Sequence, residues 1–346
     1  MKVSIWHNCY DLQWGKLLVP EAFSHPAKFA PGLIQRIYRY GLAQGYWCTG
    51  DLIGDPFGGI AGGGIMAAYN KLAWIGCELE PRFVDLGNQN IAMHRATWEA
   101  HGFPVPVLVQ GDSRRFSEVV RAAGIVTSPP LVDCGMDYNT TAGVKVNKNT
   151  QCVRKNRPKS IGKGQTATTL NYGTHPGQIG ALKAGDLAAI CTSPPWENQE
   201  PSHQGSEHLE SVKNRSFVGS EYGAAQGQIG NDTGESYWQA MRAVYVECHK
   251  ALKPGGYMGI VIKSYVKNKR KVHLPMHTLK LLIHLGFEPV ERVKAMLIKK
   301  AKIQKNLFGE NIDLKKERKS FFRRLAEEKG SPSINWEEVL FVKKPF

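Results

Sequence analysis

Asp55-Pro56-Phe57-Gly58-Gly59 ends a short apolar strand predicted at 51–55 and leads through Gly62-Gly63-Gly64 into a helix predicted at 61–70. Glycines at this position let the backbone approach a ligand closely. The junction between a strand end and a helix start is also the cleft in which open α/β sheets bind nucleotides. The stretch therefore predicts the first strand, loop and helix of a nucleotide-binding α/β domain.

Short apolar runs alternate with amphipathic stretches along the rest of the chain, which predicts a mostly parallel sheet with helices on both faces. A helical lead-in is predicted from Pro31 to Gly41. Further strands are predicted near 73–78, 105–110, 124–127, 187–192, 256–263, 287–298 and 338–343, and further helices near 81–100, 114–123, 235–252 and 275–285.

Acidic residues follow the second and third predicted strands. Glu78 ends the strand at 73–78, and Asp112 follows the strand at 105–110. A carboxylate at the edge beside the glycine loop can accept both ribose hydroxyls of a bound adenosine, and the next acid along is suited to the adenine amino group. A rival interpretation is a dinucleotide site, because Gly62, Gly64 and Ala67 match a weak variant of the dinucleotide fingerprint, although Glu78 comes early for that scheme.

Two segments are duplicated in the same order. Thr127-Ser128-Pro129-Pro130 recurs as Thr192-Ser193-Pro194-Pro195, and the stretch 172–180 recurs as 222–230. Two copies indicate a local duplication, since a solenoid would need more repeats.

These motifs together resemble the amino-methyltransferase superfamily of DNA methyltransferases, and in particular phage-type or prophage-type enzymes with a doubled Ser-Pro-Pro segment. The resemblance covers roughly residues 20–300 and also includes the Leu252-Lys253-Pro254-Gly255-Gly256 turn. It implies a Rossmann-like class I methyltransferase fold, an α/β fold with a seven-stranded mostly parallel sheet, and S-adenosylmethionine as cofactor. The cofactor-binding residues that it implies are Lys28, Phe29, Asp55, Pro56, Phe57, Gly58, Gly59, Glu78 and Asp112.

The resemblance implies that the chemistry takes place at the tetrapeptide Ser193-Pro194-Pro195-Trp196, two prolines between a serine and an aromatic residue. An amino group conjugated to a base ring is a poor nucleophile, so the site must accept its hydrogens. Ser193 Oγ and the carbonyl of Pro194 can do so because two prolines stiffen the chain, and Trp196 would stack on a flipped-out base. The predicted catalytic residues are Ser193, Pro194, Pro195 and Trp196, with Ser128, Pro129 and Pro130 from the first copy.

The two copies satisfy different spacing rules. Ser128 comes sixteen residues after Asp112, as a fourth strand should, whereas Ser193 lies at the family's usual distance before Leu252. The second copy is favoured because it keeps the aromatic Trp196, where the first has Leu131. Residues 131–186 then become an inserted basic segment suited to target recognition.

The net charge of +15 is concentrated in two stretches, Lys145–Lys163 and Lys294–Arg324. The first holds seven cations and no acid, and the second eleven cations and three acids, so the rest of the chain is neutral. Basic segments between apolar strands favour contact with a phosphate backbone, and the partner expected is double-stranded DNA. The predicted DNA-binding residues are Arg154, Lys155, Arg157, Lys159, Lys315, Lys316, Arg318, Lys319, Arg323 and Arg324, the last six on a predicted helix.

The predicted methyltransferase core comprises residues 1–130 and 187–346, with basic insertions at 131–186 and 299–335. The chain of 346 residues shows no signal peptide and no long apolar run, which indicates a cytoplasmic protein that does not bind a membrane, in the host cytoplasm if a phage encodes it. Seven scattered cysteines indicate reduced structural thiols and no metal site.

Several functions remain open at this stage. Cytosine N4 is the favoured target because Ser heads the tetrapeptide, with adenine N6 as the alternative. An inert DNA-binding relative, an RNA adenine methyltransferase and a protein glutamine methyltransferase also stay open. Carbon-5 cytosine methylation is excluded, because that reaction needs a cysteine nucleophile after proline and no cysteine here follows one. The recognition sequence, the oligomeric state and any cognate restriction endonuclease are not determined by the sequence.

Overall fold

The computed structural model of the protein describes residues 1–25, 29–123, 185–195, 228–232, 234–300, 304–305, 311–312, 315–317 and 321–346. Its strands are β1 (Lys2–Trp6), β2 (Leu52–Asp55), β3 (Ala73–Glu78), β4 (Val107–Gln110), β5 (Leu187–Thr192), β6 (Leu252–Ile262), β7 (Tyr265–Lys267), β8 (Arg270–Val272), β9 (Glu288–Met296), β10 (Ile298–Lys300), β11 (Gln304–Lys305), β12 (Asn311–Ile312), β13 (Lys315–Glu317) and β14 (Trp336–Lys343). Its helices are α1 (Pro31–Gln44), α2 (Gly62–Tyr69), α3 (Pro81–Ala100), α4 (Phe116–Ala123), α5 (Gly234–Ala251), α6 (Leu274–His284) and α7 (Phe321–Glu328).

Eight strands form the central sheet, in the order β1-β9-β14-β6-β5-β2-β3-β4. Neighbouring strands are parallel except at β14, which runs antiparallel to both β6 and β9. The chain enters the middle of the sheet at β2, moves outward through β3 and β4, and then returns to β5 on the other side of β2. That reversal between β2 and β5 is a topological switch point, where open α/β sheets bind ligands.

The two faces of the sheet pack against different helices. Alternate side chains of β14 point to opposite faces, as the two-residue period of a strand requires, with Phe341 on one face and Leu340 on the other. The cluster around Phe341 includes α1, α2 and α3, whereas the cluster around Leu340 includes α4, α5 and α6. The predicted Rossmann-like class I methyltransferase fold, with a mostly parallel sheet between helical layers, is confirmed by this arrangement.

The strand count was predicted wrongly, because β1 adds an eighth strand at the edge beside β9. Val3 and Ile5 on this strand remain more than half exposed, so it lacks the buried apolar run that marks the inner strands. The strand predicted at 124–127 lies outside the described residues, as do residues 131–184 of the predicted insertion.

Accessory strands flank the carboxyl edge of the sheet. β7 and β8 form a hairpin, β10 pairs with β13, and β11 pairs with β12. The helix predicted over 315–324 is therefore wrong in its first part, because Lys315 and Lys316 lie in β13 opposite Lys300 and Lys299. Pairing with β10 supplies backbone partners that local sequence could not reveal, and the helix starts only at Phe321. Within the part of the chain described, no helix combines the length and apolar character needed to cross a membrane.

Asn90 on α3 connects the amino-terminal segment to the loop that follows β2. Its side chain is fully buried, its Oδ1 accepts a hydrogen bond from the Val19 amide at 2.8 Å, and its Nδ2 donates to the Ile60 carbonyl at 3.0 Å. One side chain thus satisfies two backbone groups and holds both segments against α3.

Replacing Asn90 with alanine leaves the Val19 N–H and the Ile60 carbonyl without this partner in the interior. The free energy of unfolding should fall by about 1–3 kcal/mol for each group, as measured by urea denaturation. Asn88→Ala on the exposed side of the same helix is the matched control, and should change stability by less than about 0.5 kcal/mol. Equal effects of the two substitutions would contradict the role of Asn90.

Candidate active site

The carboxyl ends of β2, β3, β4 and β5 meet at one edge of the sheet. In register, Asp55 lies beside Gly76, Gly54 beside Ile190, and Glu78 beside Gln110. Strand termini in adjacent positions lie about 5 Å apart in the hydrogen-bonding direction. The acids predicted from the sequence are therefore gathered at one edge, with Ser193 directly after β5.

Asp55 is buried at the switch point, with 5% of its surface exposed. Its Oδ1 accepts hydrogen bonds from Thr192 Oγ1 at 2.7 Å and from the Phe57 amide at 3.0 Å. Burial raises the pKa of Asp55 to about 7, although both hydrogen bonds act to lower it. The carboxylate thus joins the ends of β2 and β5 and is poised to lose its proton when a cation binds nearby.

The glycine loop after β2 is shaped by contacts with β3. The Gly58 amide donates to the Cys77 carbonyl at 2.7 Å, and a Cβ on Gly58 would come within 2.7 Å of Leu108. Gly59 has φ +51°, in the left-handed region, and a Cβ there would lie 3.4 Å from His25 Nε2. Glycine at 58 and 59 therefore allows a loop that a side chain would crowd.

Glu78 is partly buried at the end of β3 and fixes that loop. Its Oε2 accepts from the Gly59 amide at 3.1 Å, and its Oε1 accepts from the Glu80 amide at 2.9 Å. Burial raises the pKa of Glu78, against the two amide hydrogen bonds that lower it. Each carboxylate oxygen has a second lone pair, so both oxygens can still accept a hydroxyl.

Asp112 after β4 forms a two-pronged ion pair with Arg114. The Arg114 Nε lies 3.0 Å from each carboxylate oxygen, and the Arg114 amide donates to Oδ1 at 2.9 Å. Burial alone would raise the pKa of Asp112, but the hydrogen bonds and charge of Arg114 outweigh it and lower the pKa. Beside it, buried Ser113 Oγ donates to the Pro56 carbonyl at 2.6 Å and ties the end of β4 to the glycine loop.

The second Ser-Pro-Pro copy is held from both sides. Thr192, directly before it, donates to Asp55, and Tyr237 of α5 donates from its hydroxyl to the Pro195 carbonyl at 3.0 Å. Pro194 is buried, whereas Ser193 is partly exposed. The Pro195 carbonyl is thus engaged by Tyr237.

The amino-terminal segment packs against the start of α2 through Trp14. Trp14 Nε1 donates to the Phe29 carbonyl at 2.9 Å, and the Trp14 ring packs so closely on Gly62 that a Cβ there would be 2.9 Å away. Phe29 is thereby fixed next to the start of α2.

Only some of the remaining predicted site residues lie in the described part of the chain. Arg324 on α7 is exposed, and Lys315, Lys316 and Arg323 lie on β13 and α7. The others lie outside the described residues: Lys28, Ser128, Pro129, Pro130, Trp196, Arg154, Lys155, Arg157, Lys159, Arg318 and Lys319.

Burial disfavours chemistry at three of the described cysteines. Cys77, Cys191 and Cys248 are buried, and burial raises the pKa of each thiol. A neutral, inaccessible thiol is a poor nucleophile. These three residues pack in the two helix-covered cores.

Comparison with known proteins gives only distant structural likenesses. No family model and no curated protein matches the chain. Among solved structures, an S-adenosylmethionine-dependent methyltransferase from Methanosarcina mazei is 9% identical with a TM-score of 0.37, covering 89% of this chain and 98% of that one. Geranyl diphosphate methyltransferase with sinefungin is 9% identical with a TM-score of 0.41 (89% and 78% covered), and a glycopeptide N-methyltransferase with sinefungin is 8% identical with a TM-score of 0.39 (90% and 87%). The fold assignment rests on strand order and direction rather than on these likenesses.

Three positioning contacts were not anticipated from the sequence. A threonine precedes the Ser-Pro-Pro segment in both copies, Thr127 in the first and Thr192 in the second, and that repetition was a usable signal. Tyr237 and Arg114 carry no comparable signal, because an α5 tyrosine and an arginine two residues after an acid are ordinary in isolation.

The raised pKa of Asp55 gives folding a distinct pH dependence. Because the folded protein holds this proton more tightly than the unfolded chain, ionisation of Asp55 removes stability as the pH rises from about 4 to about 7. Asp55→Asn removes this titration while keeping an oxygen acceptor. The difference between the two proteins should change by up to about 1.4 kcal/mol per pH unit in favour of the variant, in urea denaturation of cofactor-free protein from acid to neutral pH. Parallel pH profiles would contradict this account.

Proposed function

We propose that the protein is an S-adenosylmethionine-dependent methyltransferase that methylates the N4 amino group of cytosine in duplex DNA, with the target base turned out of the helix. The main support is the position of Ser193-Pro194-Pro195 at the carboxyl end of β5, beside Asp55 and the glycine loop at the switch point. The distant structural likenesses do not support the choice of cytosine as methyl acceptor or of DNA as partner.

The acidic side of the cleft fits S-adenosylmethionine, which carries a sulfonium and an ammonium group. Asp55, Glu78 and Asp112 lie at the ends of three adjacent strands, where carboxylates can accept from a cation and from hydroxyl and amino donors, Asp112 with Arg114 already bonded to it. Glu78 would hold the ribose, Asp112 the adenine amino group, and Asp55 the cationic end near Phe29. When bound, S-adenosylmethionine supplies an electrophilic methyl group.

A dinucleotide fits the same cleft poorly. In dinucleotide sites the pyrophosphate binds at the amino end of the helix after the first strand. Here Asp55 Oδ2 lies only 3.2 Å from where a Cβ on Gly63 would stand, so a carboxylate occupies the first turn of α2. This side chain takes the space of a pyrophosphate oxygen and, when ionised, would repel it.

Ser193 and Pro194 provide what an unreactive exocyclic amine needs. The Ser193 hydroxyl oxygen can accept one amine hydrogen and the Pro194 carbonyl the other, which directs the nitrogen lone pair away from the ring. Thr192 and Tyr237 keep these acceptors in place. Methyl transfer is an in-line displacement, so positioning contributes more than a strong base, and the product ammonium is acidic enough to release its proton to solvent.

The choice of DNA rests on charge, and the choice of cytosine on a single side chain. The excess of cations in Lys145–Lys163 and Lys294–Arg324 suits a polyanion. Ser at the head of the tetrapeptide is typical of N4 enzymes in the resembling superfamily, whereas Asp or Asn is typical of N6 enzymes. Adenine N6 remains the alternative, because both amines need only acceptors and a stacking face.

Removing the Glu78 carboxylate should weaken the binding of S-adenosylmethionine and of its demethylated product. Glu78→Ala loses two charge-assisted hydrogen bonds to the ribose, each contributing about 1.5–3 kcal/mol, measured by isothermal titration calorimetry.

Two controls separate this effect from a change in loop structure. Glu78→Gln keeps one acceptor oxygen for the Gly59 and Glu80 amides and should show an intermediate loss of affinity. Glu99→Ala removes an exposed carboxylate near the end of α3 and should bind like the wild type. Unchanged affinity in Glu78→Ala would remove the ribose assignment.

DNA from cells expressing the protein should contain N4-methylcytosine, detected by nucleoside mass spectrometry. The modification should disappear in the double variant Ser193→Ala with Trp196→Ala, because neither the acceptor nor the stacking face is then present. It should be largely retained in Ser128→Ala, which alters only the first copy. Transfer of labelled methyl groups to bacterial or phage DNA in vitro provides the direct assay.

The other outcomes of that experiment would change the proposed base, active site or methyl acceptor. N6-methyladenine alone would replace the base and leave the methyl-transfer chemistry intact. Loss of all activity in Ser128→Ala would move the active site to the first copy. No methylation of any DNA by protein that binds S-adenosylmethionine would refute DNA as the acceptor.

A further inference from the structure

The hairpin formed by β7 and β8 is a basic element beside the candidate active site. Five cations and no acid occur between Lys263 and His273: Lys263, Lys267, Lys269, Arg270 and Lys271. These residues fall outside both basic stretches identified from the sequence. Lys267, Lys269 and Arg270 are exposed, and they have no ion-pair partner within the described ranges.

The hairpin is held in a defined shape. Lys267 pairs with Arg270, so Asn268 and Lys269 form a two-residue turn, and both have positive φ values, 50° and 56°. Two positive φ values in a two-residue turn are typical of the type I′ hairpin, whose twist matches that of its strands. The exposed cations are therefore presented by a compact element rather than by an extended loop.

Strand register brings this hairpin next to the Ser-Pro-Pro segment. Thr192 of β5 pairs with Ile260 of β6, and β6 ends two residues later at Ile262, directly before Lys263. The hairpin consequently starts at the same edge as Ser193, one strand further from the acidic side of the cleft.

A second group of cations continues this surface across β14. The ammonium groups of Lys271 and Lys294 lie 4.6 and 4.7 Å from the centroid of the Trp336 ring. A cleft of about 400 Å³ opens between the hairpin and residues 331–334, and its lining includes Lys263, Ser264, Asn268 and Lys269. The carboxylates near this surface include Glu327 in the cleft, Glu337, 3.8 Å from Lys263, and Glu338, which pairs with Arg292 and accepts from Trp336 Nε1. The cations named above outnumber them.

From the position of these cations beside the Ser-Pro-Pro segment we infer that the β7–β8 hairpin binds the phosphate backbone of duplex DNA next to the flipped nucleotide. This inference rests on the proposed function. Lys267, Lys269 and Arg270 contact phosphates, and the cleft beside Asn268 admits a backbone segment. Lysine and arginine contacts of this kind give affinity without sequence preference.

The test compares two charge-matched triple variants. The hairpin variant carries Lys267→Gln, Lys269→Gln and Arg270→Gln. The control carries Arg95→Gln, Arg121→Gln and Lys253→Gln, exposed cations on α3, α4 and the start of β6, towards the opposite edge of the sheet. Binding to a short fluorescein-labelled duplex of mixed sequence is followed by anisotropy from about 50 to about 200 mM salt, with S-adenosylmethionine affinity measured in parallel.

The hairpin variant should flatten the salt dependence by about 0.9 for each phosphate that the protein no longer neutralises, or about 2.7 for three phosphates. Its KM for DNA should rise, while kcat at saturating DNA and S-adenosylmethionine affinity stay unchanged. The control should keep the wild-type slope.

Equal slopes for all three proteins, with wild type binding and methylating DNA, would overturn the hairpin inference and leave the proposed function standing. Wild type that neither binds nor methylates DNA would overturn both. A hairpin-dependent preference for an RNA duplex of the same sequence would replace DNA with RNA as the partner.

Discussion

The hydrogen bond from Thr192 to Asp55 is the contact on which the candidate active site depends. It joins the carboxyl ends of β5 and β2, the two strands at which the chain reverses its direction across the sheet. A parallel sheet leaves its strands apart beyond the last ladder bond, so the cleft at a switch point opens unless something spans it. The Thr192–Asp55 hydrogen bond spans this cleft. Both partners are buried, and a buried polar group without a hydrogen-bond partner is costly.

The other contacts of the site extend outward from that bond. Phe57 and Ser113 tie the glycine loop to Asp55 and to the end of β4, and Glu78 fixes Gly59 from β3. On the opposite side, Tyr237 holds the Ser-Pro-Pro segment that Thr192 begins. The groups available to a ligand are thus already oriented by a continuous set of hydrogen bonds, which is how a rigid scaffold reduces the cost of ordering a site.

The sequence predicts the parts of this arrangement that depend on local patterns. Strand-end acids such as Asp55 and Glu78, the glycine loop and the inner strands each leave a short pattern of apolar periodicity and turn residues. The Thr192–Asp55 bond joins residues 137 positions apart, and the ion pair between Asp112 and Arg114 depends on side-chain packing, so neither leaves such a pattern.

The strand β13 was predicted as helix because Lys315 and Lys316 are compatible with a helix, and only pairing with the backbone of β10 makes this segment a strand. The sequence did not predict β1, because an edge strand with few buried residues shows little alternation of apolar and polar side chains.

Charge changes sign along the carboxyl edge of the sheet. Asp55 and Glu78 end β2 and β3, and Asp112 follows β4. The cations of the hairpin follow β6 and Lys294 lies on β9, with the uncharged Ser-Pro-Pro segment between the two groups. Under the proposed function, a cationic cofactor would be drawn to the acidic side of Ser193 and a polyanionic acceptor to the basic side. The proposed function would use this arrangement to sort two substrates of opposite charge before any specific contact forms.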